Sequence, residues 1–245
     1  MGIKKGYINP LEIKDGDIFT LNNKGYLICG LIHPGHREVK LVKELDSGRQ
    51  MVLKLNVEPE EVERMELFSC PNIVRGGGVT DSMGNLALLM EYIEGPDFYD
   101  YLIECGKEPL GNIIFKALEI IETVGETLIY LMEKDIQLGE FFSKHILIEK
   151  KSQRPILIDF HHTHPVSDKM MPYYMKQLET LLRLIIGRVN FLFDGFSVIE
   201  PTNRKEDVPP ELDDIISKCS GTKTPVYQDL MMFVNDVNKV KCLYA

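Results

Sequence analysis

The chain has 245 residues, 28 of them Lys or Arg and 37 Asp or Glu, giving a formal net charge of −9. At about 100–200 residues per domain this is one large domain, and 44% hydrophobic with 27% charged residues excludes disorder throughout. The acidic balance argues against a broad nucleic-acid grip, which needs clustered Lys and Arg.

Taken in order, residues 1–17 carry Lys4, Lys5, Glu12, Lys14, Asp15 and Asp17, which leaves no apolar core for a signal peptide. Short β-rich runs at 25–31 and 38–43 flank the turn-rich His33-Pro34-Gly35, and Asp46-Ser47-Gly48 marks a hairpin turn before a strand over 50–55. The spacing predicts a helix over 59–68, with Glu60, Glu61 and Glu63 at the positive end of its dipole. Residues 71–74 end it and Gly76-Gly77-Gly78 forbids another; strands are predicted at 79–80 and 86–92, joined by Met83-Gly84-Asn85.

After Gly95-Pro96 the period changes from two toward 3.6. Ile113, Ala117, Leu118, Ile121, Val124, Leu128, Leu131 and Met132 describe a long amphipathic helix with a wide apolar face. Two short strands follow at 146–149 and 156–159, with a polar turn over 150–154 between them. Helical periodicity returns at 178–186, 209–218 and 227–240. Strands with one helix, then helices with one small hairpin, predict an α+β protein. The expected organisation is one domain over 1–245: a small β-rich lobe over about 1–92, a junction over about 91–96 and a larger α-rich lobe over about 97–245.

The five cysteines (Cys29, Cys70, Cys105, Cys219, Cys242) are odd in number and form no C-x-x-C pair, so neither a zinc ribbon nor a disulfide framework is expected. The longest apolar stretches, such as 86–90 and 184–186, fall far short of the ~20 residues of a membrane helix. These features predict a soluble protein of the reducing cytoplasm with neither a membrane nor a nucleic acid as partner.

Several segments, in order, resemble a eukaryotic-type protein kinase domain. Val52-Leu53-Lys54-Leu55 resembles the V-A-I-K strand, and Glu61 begins a stretch similar to the family's helix C, followed by Cys70-Pro71-Asn72-Ile73-Val74 where H-P-N-I-V is usual. Leu88-Leu89-Met90-Glu91-Tyr92-Ile93-Glu94-Gly95 resembles the hinge segment L-V-M-E-Y-V-E-G. Residues 135–148 resemble the catalytic-loop region, Ile158-Asp159-Phe160-His161 resembles the D-F-G segment, and 209–219 is similar to the late helices of Ser/Thr kinases.

The resemblance implies a bilobal protein-kinase-like fold, with an antiparallel β-rich N-lobe bearing one helix and an α-helical C-lobe. It implies ATP as cofactor, with Mg or Mn, and a nucleotide pocket that includes Val39. Lys54 would hold the α and β phosphates and pair with Glu61. Met90 would be the gatekeeper, and adenine would bond to the Glu91 carbonyl and the Ile93 backbone. Asp159 and His145 fall at the metal-ligand positions. Glu140 falls at the catalytic aspartate, and Lys144 could neutralise the γ-phosphate or be a solvated surface amine.

Three departures weigh against efficient phosphotransfer, which is largely positioning and charge neutralisation. Ile32, Pro34 and Arg37 stand where the Gly-rich loop needs glycines, whose lack of a Cβ lets backbone amides approach phosphates. His145 replaces an oxygen ligand suited to hard magnesium, whereas imidazole favours softer metals. His161 replaces the glycine of D-F-G, and Leu138-Gly139-Glu140 stands for H-R-D. Little activation segment remains between Phe160 and the helical run from Tyr173, no A-P-E is present, and Tyr173–Gln177 lacks the usual aspartate.

Two functions follow from this pattern. One is a pseudokinase or very weak Ser/Thr kinase that binds nucleotide and an unknown protein partner. The other is an active atypical phosphotransferase using Lys54, Glu61, Glu140 and Asp159 on a protein or small-molecule hydroxyl. A third and different class is a metal-binding protein centred on His161, His162 and His164, against a plain polar loop.

Overall fold

The computed structural model describes residues 14–33, 39–81, 84–139, 141–160, 163–167, 170–194 and 209–245. The chain divides into two compact units between Ile93 and Glu94.

The first unit is a six-stranded antiparallel sheet in the order β1-β2-β3-β4-β6-β5, with one helix. Its strands are β1 (Ile18–Leu21), β2 (Lys24–His33), β3 (Val39–Glu44), β4 (Gln50–Lys54), β5 (Gly76–Thr80) and β6 (Leu86–Glu91), and α1 (Pro59–Leu67) lies between β4 and β5 in sequence. Strand β1, four residues long, lies outside the β-rich runs that the sequence predicts. Asn22 and Asn23, at φ 45° and 61°, turn it directly into β2 in a two-residue hairpin, for which paired left-handed residues are required. The glycine run Gly76–Gly78 is itself strand, paired with Leu88–Met90 of β6. The sheet curls around Phe19, Leu21, Tyr26, Ile28, Val42, Leu53 and Ala87, all buried. Period-two alternation puts Tyr26 and Ile28 of β2 on that same inner face.

The second unit is mainly helical: α2 (Phe98–Glu104), α3 (Leu110–Glu133), α4 (Met170–Asp194), α5 (Pro210–Cys219) and α6 (Leu230–Lys241). Between α3 and α4 lie four short strands, β7 (Gln137–Leu138), β8 (Ile146–Ile148), β9 (Pro155–Leu157) and β10 (Thr163–His164), paired β7 with β10 and β8 with β9. The apolar stripe of α3 is buried as its periodicity requires, including Ile113, Ala117, Leu118, Ile121, Val124, Leu128 and Leu131. α2 is too short for periodicity to reveal, but Asp97 caps it by accepting from the Asp100 amide at 2.9 Å. Among the described residues no helix is long and apolar enough to cross a membrane.

Candidate functional site

Lys54 ends β4, a central strand, and sits in register between Val39 of β3 and Leu88 of β6. Its side chain is only 7% exposed, and Nζ donates to Glu61 Oε1 at 2.7 Å. Glu61 is itself 2% exposed, although its neighbour Glu60 faces solvent. An acidic first helical turn would ordinarily be solvated. Val62 and Met65 fix the inward face of α1, and Glu61 falls within it. Gly78 of β5 lets that face come close: a Cβ there would lie 2.6 Å from Val62 Cγ1. The Gly78 amide also donates to Glu66 Oε1 at 3.2 Å, a second tie between α1 and the sheet.

The hinge-like residues sit at the end of β6. Met90 pairs with Val52 and Gly76 and is half-buried. Glu91 pairs with Met51, its amide donates to the Arg75 carbonyl at 2.9 Å, and its Oε1 accepts from the Arg75 amide at 3.0 Å. Ile93 is buried, and its backbone makes no hydrogen bond within the described residues. Of the Gly-rich-loop positions, Ile32 is exposed near the end of β2; Pro34, Gly35 and Arg37 lie outside the described residues.

In the second unit, α4 holds the loop that follows β7. The Leu138 amide donates to Tyr174 Oη at 2.8 Å, and the Phe141 amide donates to Gln177 Oε1 at 2.9 Å. Gln177 Nε2 donates back to the Gly139 carbonyl at 3.4 Å. Tyr174 and Gln177 are three apart on the helix and so share a face. Burial pushes the Tyr174 phenol up to about 12, against the opposing pull of the bond from Leu138. Where an aspartate is usual, Tyr173–Gln177 carries a tyrosine and a glutamine at i, i+3 of the helix, and that pair is the signal in the sequence for the anchor.

Glu140, expected at the catalytic position, lies outside the described residues, although Gly139 and Phe141 on either side of it are held. Lys144 is exposed and has no partner among the described residues. His145 closes a short 3-10 turn over Ser143–His145, with Nε2 4.0 Å from Asp159 Oδ2. Its ring lies 5.6 Å from that of Phe142, and its buried Nδ1 has no hydrogen-bond partner among the described residues. The Ile158 amide donates to the His145 carbonyl at 2.9 Å, which fixes the segment leading into Asp159. Asp159 is not the end of a strand, as its apolar flank suggested: β9 stops at Leu157, and Asp159 takes a left-handed φ of 67°. That conformation is uncommon outside glycine, is best tolerated by Asp and Asn, and concentrates at functional positions.

His161 and His162 lie outside the described residues, and His164 of β10 is exposed. Among the described residues no group of three or more His, Cys, Asp or Glu is placed to hold a metal ion.

A curled antiparallel sheet bearing a buried Lys–Glu pair, followed by a helical unit that anchors a loop and a left-handed aspartate, is protein-kinase-like in fold and sequence. No family model matches the chain. It is 26% identical over 147 residues to the mouse serine/threonine-protein kinase DCLK3, covering 55% of this chain and 18% of that protein. It is 31% identical over 123 residues to the mouse dual specificity testis-specific protein kinase 1, covering 47% and 19%. The probable serine/threonine-protein kinase HSL1 of Saccharomyces cerevisiae matches at 29% over 100 residues, covering 41% and 6%. The matches thus span less than a fifth of the length of each of these relatives.

Proposed function

We propose that this chain binds ATP through a partly retained nucleotide pocket and acts as a pseudokinase, a binding module rather than an efficient phosphotransferase. The buried Lys54–Glu61 pair at 2.7 Å carries the reading. Apolar side chains of similar volume are often no less stable than a buried ion pair, so stability alone does not explain keeping the pair. A lysine held on a central strand by a carboxylate is suited to phosphate oxygens. Val39, Met90 and the backbone of Glu91 and Ile93 would line the adenine side.

Asp159 and His145 would hold a divalent metal, which when bound neutralises phosphate charge. Their donor set, one carboxylate and one imidazole 4.0 Å apart, fits manganese better than magnesium. The substitutions at the Gly-rich loop, at His145 and at His161 all favour binding over turnover. Five free cysteines accord with a reducing cytoplasm.

One observation favours the second reading, an active phosphotransferase with Glu140 as base. Tyr174 and Gln177 hold the backbone on both sides of that residue, an investment suited to a working loop.

The test is a thermal shift with ATP, alone and with magnesium or manganese. At a hundred times the dissociation constant, bound ligand should add about 2.7 kcal/mol, and the gain should vanish in K54M/E61M. No shift under any condition overturns the nucleotide reading. Phosphotransfer that is lost in Glu140→Gln would replace the pseudokinase with the enzyme.

A further inference from the structure

A residue other than glycine keeps a left-handed backbone only where its surroundings over-determine it. Asp159, at φ 67°, is held from both sides. Upstream, the Ile158 amide is fixed on the His145 carbonyl. Downstream, Phe160 is fully buried, and its carbonyl accepts from Thr163 Oγ1 at 3.3 Å. Thr163 is only 4% exposed, and a hydroxyl is costly to bury unless it is bonded.

Thr163 begins a strap laid along β7. It pairs with Leu138, the residue that Tyr174 moors, and His164 pairs with Gln137. Beyond this ladder two side chains take hold of the strap. Asp135 Oδ1 accepts from the Val166 amide at 3.3 Å, and Gln137 Oε1 accepts from Ser167 Oγ at 2.9 Å. The Met170 amide then donates to the Ser167 carbonyl at 3.0 Å, which joins the strap to α4.

Asp135 also stands at an unusual place for an aspartate. α3 closes with the Asp135 amide on the Met132 carbonyl and the Ile136 amide on the Leu131 carbonyl, a Schellman ending. Its left-handed position usually belongs to glycine, yet Asp135 occupies it at φ 58°. The residue that fits the backbone best is replaced by one whose carboxylate reaches the strap.

We infer that Thr163, Asp135 and Gln137 are positioning residues for metal binding. They clasp the strap to β7, and the clasp holds the Asp159 backbone in one geometry before any ligand arrives. A ligand fixed in advance loses little freedom on binding, so loosening the clasp weakens the metal. Metal-free ATP is unaffected, because Lys54 and Glu61 belong to the other unit. The inference rests on the reading of Asp159 as a metal ligand.

The test is isothermal titration of the full chain with ATP, with and without manganese, the difference in affinity being the manganese gain. Asp159→Asn, which tolerates the same backbone, should abolish the gain. Thr163→Val keeps the shape but not the hydroxyl, and should weaken binding of ATP with manganese by about tenfold, with metal-free ATP unchanged. Thr163→Ser should do the reverse: it loses a buried methyl and stability to urea, yet keeps the gain. A merely structural Thr163 would make the gain follow stability in both variants. Asp135 is exposed, so its variants spare the core. Asp135→Gly suits φ 58° without the carboxylate and should lower the gain, and Asp135→Asn, which keeps an acceptor, should recover it. A gain that survives Asp159→Asn, or a parent chain with none, removes the metal reading and the inference with it. A gain abolished by Asp159→Asn but parental in Thr163→Val and Asp135→Gly overturns the inference alone.

Discussion

At the scale of single residues, the energetics of the first unit turn on Lys54 and Glu61. Neither can be solvated: the two side chains are 7% and 2% exposed, and each answers the other's charge. Removing one partner strands the other, a loss of about 3–5 kcal/mol, whereas replacing both with apolar groups is close to neutral or better. Urea unfolding should therefore find K54M markedly destabilised and K54M/E61M restored to near the parent value. A K54M chain as stable as the parent would mean that Glu61 finds relief elsewhere. Asp159 is the corresponding residue in the second unit, with the backbone held at φ 67°. Its conformation, like the burial of Glu61, is invisible to periodicity because it depends on what the neighbouring segments do.

At the scale of elements, α4 is both a core helix and a clamp. Leu178, Leu181, Leu182 and Ile185 bury its apolar stripe, while Tyr174 and Gln177 use their polar ends to hold Leu138, Gly139 and Phe141. Leu138 and Phe141 are each 1% exposed, so an amide released here finds no water. Tyr174→Phe removes the acceptor and leaves the Leu138 amide buried and unpaired, a cost of about 1–3 kcal/mol. Chemical denaturation should show that loss with the thermal shift by metal-free ATP unchanged, because the Lys54–Glu61 pair belongs to the other unit. A Tyr174→Phe chain of parental stability would show that the Leu138 amide is satisfied without the phenol.

At the scale of the whole molecule, α5 and α6 are joined by charge. Lys218 donates to Asp214 at 2.8 Å and to Asp236 at 2.9 Å, Lys223 reaches Asp214, and Tyr227 Oη donates to Asp236 at 3.1 Å. Hydrogen bonds from Lys218 and Lys223 hold the Asp214 carboxyl below its ordinary range. Burial alone would raise Asp236, but bonds from Lys239, Lys218 and Tyr227 more than offset it, and it too is lowered. Bonds to the two aspartates raise Lys218. The carboxylates thus contribute stability above their unfolded pKa, near 3.9, and lose it as pH falls through the lower folded value. Lys218 contributes fully below its unfolded value, near 10.4, and loses it as pH rises through the higher folded one. A melting temperature flat between about pH 5 and pH 9 and falling on both sides is expected, with the acid limb shallower in Asp236→Asn. An acid limb unchanged by that substitution would remove Asp236 from the account.

Much of this architecture was legible in the sequence. The long helix over Leu110–Glu133 declared itself by its apolar spacing, and the β-rich run before Gly95 and the helical run after it separate the α+β classes. Motif order was enough to suggest kinship with kinases. Four pieces were not legible for physical reasons. β1 is only four residues long, α2 only seven, and β7 and β10 two each, all too short for a period to repeat. The anchor on α4 is hard to read because a tyrosine and a glutamine stand in place of a carboxylate and accept the same amide bonds.

That substitution of kind has a consequence for how the loop behaves as conditions change. A carboxylate acceptor weakens when acid protonates it and brings a buried charge that must be balanced. The amide of Gln177 does not titrate, and the Tyr174 phenol, pushed up to about 12, stays neutral across any pH a cell reaches. The tether on Leu138, Gly139 and Phe141 is thus electrically silent: acidification that loosens the α5–α6 charges leaves this loop moored as before.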